Sequence, residues 1–348
     1  MLLKAVEQLD YGDVLAAPVL GPGPDPFLPS GQVVGPTVLQ ALEQAGVSRV
    51  YVEDPRADDV EISDVLSPET AAACRAAVTR ALGGTPRVSD LRDAARRLVQ
   101  DVRRGAPPLL AAVSIHHLAA YPAVHAVDSA KTAVLLGREL NYTDQQLQNL
   151  AAGMLVHDIG NQRVPQGLLE ASRELSEVER RETQVHARAG FEMLRQVLSA
   201  TPLGRSLALY HHERLDGSGY PRGVKGDEIP EFGRIAAIAD VYAALTLDRH
   251  HRPALAPDRA FAHLLARQGK FDARIAALLA RNVAIYPPGM PVELDSGEIA
   301  VVARVAPGNT LHPVVRLWTT PGGLPFQSPQ DLDLNLHHDI RIVRSKLI

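Results

Sequence analysis

Residues 142–160 read YTDQQLQNLAAGMLVHDIG, and this stretch decides what kind of fold the chain adopts. Thr143 is followed three residues later by Gln146, which is the capping-box signature of a helix start. Apolar residues then recur at helical spacing, and His157 and Asp158 stand side by side just before Gly160. The stretch therefore predicts a capped helix whose C-terminal end carries an adjacent histidine and aspartate.

The same helical signals recur on both sides of this stretch. Ser176 and Glu179 repeat the capping box ahead of the apolar residues of 180–198. Upstream, Ser67 and a following proline open the segment SPETAAACRAAVTRALGG, which closes on a glycine pair. Residues 67–281 as a whole have a helical texture, so we predict an all-α bundle for the middle of the chain.

The two ends of the chain have a different texture. Before residue 54, short apolar segments broken by Pro and Gly predict small strands, with a helix over 37–46 and a linker over 54–64. From residue 286, apolar and polar residues alternate again. The predicted fold is mainly α, with a helical bundle at 61–285 and small β-containing domains at 1–60 and 286–348.

The bulk composition is that of a soluble globular protein. The 348 residues are 46% hydrophobic and 22% charged, and the net charge of −4 argues against a nucleic-acid polymer as partner. Cys74 is the single cysteine, which excludes an intrachain disulfide and fits a reducing compartment. The apolar region 109–124 is broken by histidines and a proline, so no membrane span is predicted and the cytoplasm is expected.

Five histidines and two aspartates of the helical region are candidate metal ligands. Imidazole suits borderline transition metals, a carboxylate can bridge two cations, and separate helices must contribute because one helix cannot surround a metal. The candidates are His125, His157, Asp158, His186, His211, His212 and Asp240. The remaining histidines are treated as ordinary helix, loop or surface residues: His116, His117, His250, His251, His263, His312, His337 and His338.

Four segments of this region resemble the HD-GYP phosphodiesterases, a branch of the HD hydrolase superfamily. The segments are HDIG (157–160), HARAG (186–190), HHERLDGSGYPRGVKGDEIP (211–230) and RIAAIADVYAALTLDR (234–249). The resemblance covers the middle third to half of the chain, with a motif core at about 110–285, and it implies an HD-type bundle. Members of this family hydrolyse the bacterial messenger cyclic di-GMP.

The resemblance also implies roles for the candidate ligands. One metal would be held by His125, His157 and Asp240, and the other by His186, His211 and His212. Asp158 would bridge the two ions, and His157 and Asp158 would form the catalytic pair. Two divalent transition metals are expected, with iron or manganese favoured. A family subset adds a third metal through a glutamate, but Tyr121 occupies that position, so two metals are expected.

Substrate contacts are expected from the GYP loop, from two arginines and from Asn161. Gly219, Tyr220 and Pro221 lie in the DGSGYP segment, where Tyr220 either faces a base or anchors the loop. Arg249 and Arg252 match the place where the family puts basic residues beside the ligand phosphates, with a solvated basic patch as the alternative.

Two positions depart from the family pattern. Asn161 stands where the family typically has Lys, and Ala243 stands where it has a second Asp. Asparagine and alanine cannot deliver a proton, so turnover should be slow. Metal binding should persist, because all seven candidate ligands are present.

Three functions follow from these observations. The first is hydrolysis of cyclic di-GMP by a metal-bridged hydroxide, which makes the protein a metal-dependent phosphodiesterase of reduced activity. The second is a weakly active or inactive effector that binds cyclic di-GMP and signals through its terminal domains. The third is an HD phosphohydrolase for another nucleotide, against which the GYP segment argues. A signalling partner at the GYP loop, a homodimer and the identity of the product stay open.

Overall fold

The computed structural model of the chain describes residues 1–62, 64–84, 86–104, 110–111, 113–197 and 202–345. Within these ranges the chain is mainly helical and carries small antiparallel sheets near both ends, which confirms the predicted fold class. The elements of the N-terminal segment are, in order, β1 (Leu2–Ala5), β2 (Val19–Leu20), β3 (Pro26–Leu28), α1 (Pro36–Gln44) and β4 (Arg49–Val52).

The N-terminal segment forms two small antiparallel pairs. Strand β1 pairs with β4, and β2 pairs with β3. Helix α1 starts at a proline and stops just before Gly46, whose positive φ of 68° suits a residue without a Cβ. The predicted helix at 37–46 and the strand that follows it are confirmed.

Ten helices of the described residues form the middle of the chain. They are α2 (Pro68–Leu82), α3 (Val88–Arg104), α4 (Tyr121–Glu139), α5 (Asp144–Met154), α6 (Gln166–Leu169), α7 (Glu177–Val197), α8 (Pro202–Tyr210), α9 (Glu231–Thr246), α10 (Pro257–Leu265) and α11 (Ala273–Asn282). The predicted caps are present, because Thr143 and Gln146 form the capping box of α5 and Ser176 and Glu179 exchange the same pair of bonds.

Helices α4 and α9 lie at the centre of the bundle. Helix α4 is buried over most of its length and packs against α9, α5 and α2, so its side chains point into the core in several directions. Lys131 on α4 is also buried, and its Nζ lies 2.9 Å from Asp64 Oδ2 and 3.2 Å from Asp128 Oδ1. A residue of the predicted linker is thereby tied to the helix that carries His125.

The C-terminal segment is one five-stranded antiparallel sheet. Its strands are β5 (Pro291–Leu294), β6 (Ile299–Ala306), β7 (Asn309–Thr319), β8 (Pro325–Asp333) and β9 (Ile342–Ser345), in the spatial order β8-β7-β6-β5-β9. Its apolar face shares one hydrophobic cluster with the N-terminal strands, where Leu3 and Val50 lie with Val292 and Val301. The boundaries at residues 60 and 285 stay predictions.

Among the described residues, none of the helices combines the length and the apolar character needed to cross a bilayer.

Candidate metal centre

The seven candidate ligands come from separate parts of the chain and meet in one cluster. His125 lies on α4, His186 on α7 and Asp240 on α9. His157 and Asp158 follow the end of α5, and His211 and His212 follow the end of α8. Ligand atoms of these residues, Asp240 apart, fall into two groups around Asp158, each tight enough for one ion.

A glycine allows the loop after Asp158 to reach α7. A Cβ added at Gly160 would overlap the backbone carbonyl of His186 and crowd the amide nitrogen of Gly190. Only a residue without a side chain fits there. The glycine of the HDIG segment thus brings Asp158 and His186 close together.

The two carboxylate oxygens of Asp158 face different pairs of histidines. Oδ1 lies 3.5 Å from Nε2 of His186 and 3.5 Å from Nε2 of His211. Oδ2 lies 3.8 Å from Nε2 of His125 and 3.7 Å from Nε2 of His157. A carboxylate in this position can share its oxygens between two cations.

Asp240 completes the cluster from α9. Its Oδ1 lies 3.1 Å from Nε2 of His125 and 3.4 Å from Nε2 of His157. Its other oxygen, Oδ2, lies 3.8 Å from Nδ1 of His212. Asp240 therefore belongs to the half of the cluster that contains His125 and His157, and it reaches toward the other half through His212.

Backbone carbonyls fix the orientation of three of the histidine rings. The Nδ1 atom of His157 lies 2.7 Å from the carbonyl oxygen of Met154, and that of His186 lies 2.7 Å from the carbonyl oxygen of Thr183. The Nδ1 atom of His211 lies 2.9 Å from the carbonyl oxygen of Leu207. In the neutral ring, donation from Nδ1 leaves the lone pair on Nε2, which is how metal-ligating histidines are usually held.

The donor atoms fit a metal centre. Nε2 of His157 is buried and makes no hydrogen bond within the described residues, although it is a polar atom in the core. Such an atom normally has a partner, and a cation would supply one. The cluster of imidazoles and carboxylates is compatible with divalent metal binding.

The cluster is electrostatically prepared for cations. Burial alone would raise the pKa of Asp158, but His157 and His211 outweigh it and hold that pKa well below the usual value. The pKa of Asp240 is lowered in the same way, against burial, by His125 and His157. Burial lowers the pKa of His157, but Asp158 and Asp240 raise it to about 9. Both carboxylates therefore stay charged.

One side of the cluster is open and is bordered by the GYP loop. The side chains of Asp158 and His212 are 26% and 19% exposed, whereas His157 and His211 are fully buried. The Tyr220 ring is stacked on the His212 ring with their centroids 4.5 Å apart. Tyr220 thus lies beside the opening, and its ring holds His212 in place.

Side chains and backbone close approaches fix the rest of this loop. Glu213 is buried and accepts a hydrogen bond from the Arg222 amide, and Asp216 accepts one from the Ser218 amide. A Cβ at Gly219 would overlap the backbone of residues 212–214, so a glycine is needed next to Tyr220. Pro221 follows it in the loop. Glu213 and Asp216 therefore help to fix the loop.

Arg249 reaches the cluster through a stack of side chains. Its guanidinium carbon lies 4.7 Å from the centroid of the Tyr121 ring, and Tyr121 is stacked on His125 with a centroid distance of 5.3 Å. Burial lowers the pKa of Arg249, but Tyr121, Asp240 and Asp158 outweigh burial and raise it. From the sequence alone, Tyr121 was identified only as the position of an absent metal-binding glutamate. Its i, i+4 spacing to His125 on α4 is a local signal for the stacking, whereas the contact with Arg249 comes from a distant segment.

Arg252 is placed differently from Arg249. Its guanidinium donates hydrogen bonds to the carbonyl oxygens of Ala244, Leu245 and Pro253. The first two belong to the last turn of α9, where an arginine satisfies carbonyls that lack helical partners. Arg252 therefore stabilises a helix end, and Arg249 is the arginine that faces the cluster.

The two departures from the family pattern lie in different surroundings. Asn161 is partly exposed, and its backbone N–H donates to the Asp158 carbonyl over 2.9 Å, so it lies one turn beyond Asp158. Ala243 is buried and lines a pocket of about 30 Å³ with Asp128 and Lys131. None of the seven candidate ligands lines that pocket in the described part of the chain.

The seven candidate ligands lie within the part of the chain that matches a known family. The HD domain family matches residues 96–275, just over half of the chain. A cyclic di-GMP phosphodiesterase of Pseudomonas aeruginosa is 30% identical over 234 residues, which cover 67% of this chain and 56% of that protein. The cyclic di-GMP phosphodiesterase response regulator RpfG of Xanthomonas campestris is 36% identical over 44% of this chain and 41% of its own length.

Two further proteins extend the comparison. The 3'3'-cGAMP-specific phosphodiesterase 3 of Vibrio cholerae is 39% identical over 41% of this chain and 31% of its own length. The chain thus spans between about a third and just over half of these relatives. A solved HDG"Y"P protein from Bdellovibrio bacteriovorus shares the fold, with a TM-score of 0.51 and 16% identity over 73% of this chain and 89% of that one. The chain belongs to the HD domain family, and the four segments that resemble its HD-GYP branch lie within the matched residues.

Proposed function

We propose that this protein is a metal-dependent phosphodiesterase that hydrolyses cyclic di-GMP. The observation that carries the proposal is the position of Asp158, whose two oxygens face two separate pairs of histidines. Relatives that match the helical region are named as phosphodiesterases of cyclic dinucleotides. A site for one metal ion does not require a carboxylate whose two oxygens face two separate pairs of histidines.

The proposed centre holds two divalent transition-metal ions, iron or manganese. One ion would be bound by His125, His157 and Asp240, and the other by His186, His211 and His212, with Asp158 shared between them. When bound, two cations held by these residues would supply an activated water and would polarise the phosphoryl oxygens of a bound diester.

Side chains of this chain would hold the substrate against the centre. Arg249 carries a positive charge next to the cluster and can grip phosphate oxygens in a fork. Tyr220 borders the open side, where its ring edge can contact a guanine base. Asn161 contributes neutral hydrogen bonding beyond Asp158. The fixed GYP loop also offers a surface to a signalling partner or to a second copy of the chain.

The second candidate function is a cyclic di-GMP-binding effector with little turnover. Asn161 favours it, because an amide one turn beyond Asp158 cannot donate a proton to a leaving oxygen as lysine can. The terminal strands share one hydrophobic cluster and could pass on a signal as one unit. We assign either function to the cytoplasm, since the single cysteine, Cys74, fits a reducing compartment.

A direct assay tests the proposal. The purified full chain is stripped of metal, reloaded with Mn²⁺ or Fe²⁺, and incubated with cyclic di-GMP and, separately, with 3'3'-cGAMP. Products are followed by chromatography. We expect the metal-loaded protein to convert cyclic di-GMP to linear dinucleotide or GMP, and the metal-free protein to form neither product. Binding without any product would establish the effector, and cleavage of 3'3'-cGAMP alone would replace the substrate.

Asp93→Ala is the matched control for Asp158→Ala. Asp93 is an exposed aspartate on α3, and its carboxylate pairs with Arg96 one turn further along the same helix. Its replacement should leave metal content and hydrolysis close to those of the wild type.

A further inference from the structure

The N-terminal segment contacts the helical region at the residue that precedes Arg249. The amide of Ser48 donates to Asp248 Oδ2 over 3.0 Å, and its hydroxyl donates to Asp248 Oδ1 over 2.6 Å. The two residues are 200 positions apart in sequence. Asp248 is buried, so this two-bond contact is shielded from water and strong for its size.

The next residue, Arg49, holds the end of α9. Arg49 is the first residue of β4 and is only 1% exposed. Its Nη2 donates to the Thr246 carbonyl over 2.9 Å, and its Nη1 to the Leu255 carbonyl over 3.4 Å. Helix α9 has no basic residue in its own last turn, so the N-terminal segment supplies one.

These contacts fix both ends of the loop that carries Arg249. Arg249 and Arg252 exchange backbone hydrogen bonds of 2.9 and 3.1 Å, which makes residues 249–252 a tight turn. Asp248 also accepts a hydrogen bond of 2.7 Å from the Ala254 amide. The carboxylate of Asp248 therefore joins the start of the turn, its end and Ser48.

Arg249 leaves this turn toward the metal centre. Its guanidinium lies over Tyr121, and Tyr121 is stacked on His125. A continuous series of contacts thus runs from Ser48 through Asp248 and Arg249 to a candidate ligand.

We propose that Ser48, Arg49 and Asp248 are positioning residues for Arg249. The N-terminal segment holds the loop 247–256 in the one geometry in which the guanidinium faces the cluster. Loosening this contact leaves the seven candidate ligands in place and weakens the grip on the substrate phosphate. The inference rests on the proposed function, since it assigns Arg249 to the substrate of the same site. It also gives the N-terminal segment a route by which it can adjust substrate binding.

The test compares Ser48→Ala and Asp248→Asn with the wild type in the full chain. Asp59→Asn is the matched control, because Asp59 also joins the N-terminal segment to another part of the chain, through Arg316, without touching α9. Amide hydrogen exchange of residues 247–254 reports whether the loop is loosened. Kinetics with cyclic di-GMP separate KM from kcat, and thermal unfolding and metal content identify general damage.

We expect the amides of residues 247–254 to exchange faster in Ser48→Ala and Asp248→Asn than in the wild type. In the Asp59→Asn control they should exchange at the wild-type rate. KM should rise about threefold to tenfold, as expected for one weakened hydrogen-bonded contact, with metal content unchanged and kcat changed less. In an Arg249→Gln background, Ser48→Ala should raise KM no further, because the residue through which it acts is gone. A purely structural role would add the same loss in both backgrounds.

Two results would overturn the inference. One is exchange in 247–254 that Ser48→Ala and Asp248→Asn change no more than Asp59→Asn does. The other is a KM increase that persists undiminished in the Arg249→Gln background. If the metal-loaded wild type does not hydrolyse cyclic di-GMP, the proposed function fails by itself, and hydrogen exchange together with equilibrium binding of cyclic di-GMP still decides the positioning role.

Discussion

At the scale of single residues, Asp158 is the side chain on which the proposed two-metal centre depends most. Its oxygens are the atoms that connect the half of the cluster with His125 and His157 to the half with His186 and His211. Without this carboxylate, two cations would face each other with no shared anion. The other ligands could still bind one ion.

Replacing Asp158 by alanine should therefore abolish hydrolysis and reduce the metal content. Elemental analysis and the chromatographic assay measure the two effects on the same sample, with Asp93→Ala as the control. Wild-type turnover in Asp158→Ala would rule out the proposed centre.

Metal binding should be linked to the release of a proton from His157. In the metal-free protein the pKa of His157 is raised to about 9, since Asp158 and Asp240 outweigh burial. A raised pKa keeps the ring protonated at neutral pH, and a cation must displace that proton. We expect affinity for Mn²⁺ to increase from neutral pH up to about 9. Calorimetry in buffers of different ionisation enthalpy counts the protons released, and uptake independent of pH and buffer would contradict this linkage.

Asn161 should limit the turnover of the wild-type protein, whereas Ala243 should not. Asn161 lies one turn beyond Asp158, so Asn161→Lys places a proton donor near the reacting groups, and turnover should rise, by up to about 10²-fold. Ala243 lines a pocket with Asp128 and Lys131, so Ala243→Asp adds a carboxylate there and should not raise turnover. Rate and affinity must be measured separately, because a lysine can also tighten substrate binding.

Two outcomes would contradict this prediction for Asn161→Lys and Ala243→Asp. Equal or lower turnover in folded, metal-loaded Asn161→Lys would show that position 161 is not the bottleneck. A larger gain from Ala243→Asp would place the missing group on α9 instead.

At the scale of elements, the site depends on how closely the turn after Asp158 approaches α7. Gly160 makes this possible, since a Cβ there would overlap the carbonyl of His186. Gly160→Ala should lower the free energy of unfolding by about 1–3 kcal/mol, the usual cost of overpacking. It should also reduce metal binding, because the turn and α7 each carry ligands.

Gly167→Ala is the control for this change. Gly167 lies on the short helix α6, where an added Cβ meets open space, so stability and metal content should hardly change. Thermal unfolding and elemental analysis distinguish the two variants. Equal stability and metal content in both would mean that the close approach is not required.

Several elements could be predicted from local sequence signals. The capping boxes at Thr143 and Ser176 placed the starts of α5 and α7 correctly, because each cap is formed by residues three positions apart. The order of His157, Asp158, His211 and Asp240 pointed to one cluster through the family resemblance. Neither signal could show which oxygen of Asp158 faces which histidine, since that depends on how four helices pack.

At the scale of the whole molecule, the contacts that the sequence does not reveal are those between distant segments. The strands at the two ends share one apolar cluster, and Ser48 meets Asp248 across 200 residues. No periodicity or spacing encodes such pairs, because each partner alone looks like an ordinary strand or loop residue. The structure therefore places the N-terminal segment against α9, and the N- and C-terminal segments against each other.

The measurement that tests the central claim most directly is cyclic di-GMP hydrolysis as a function of bound metal per chain. Metal-free protein is titrated with Mn²⁺, and bound metal and turnover are determined on each sample. If Asp158 is shared between two ions, as proposed, turnover should stay near zero through the first equivalent and appear as the second one binds. Full turnover at one bound ion per chain, or no turnover with two ions bound, would contradict the account.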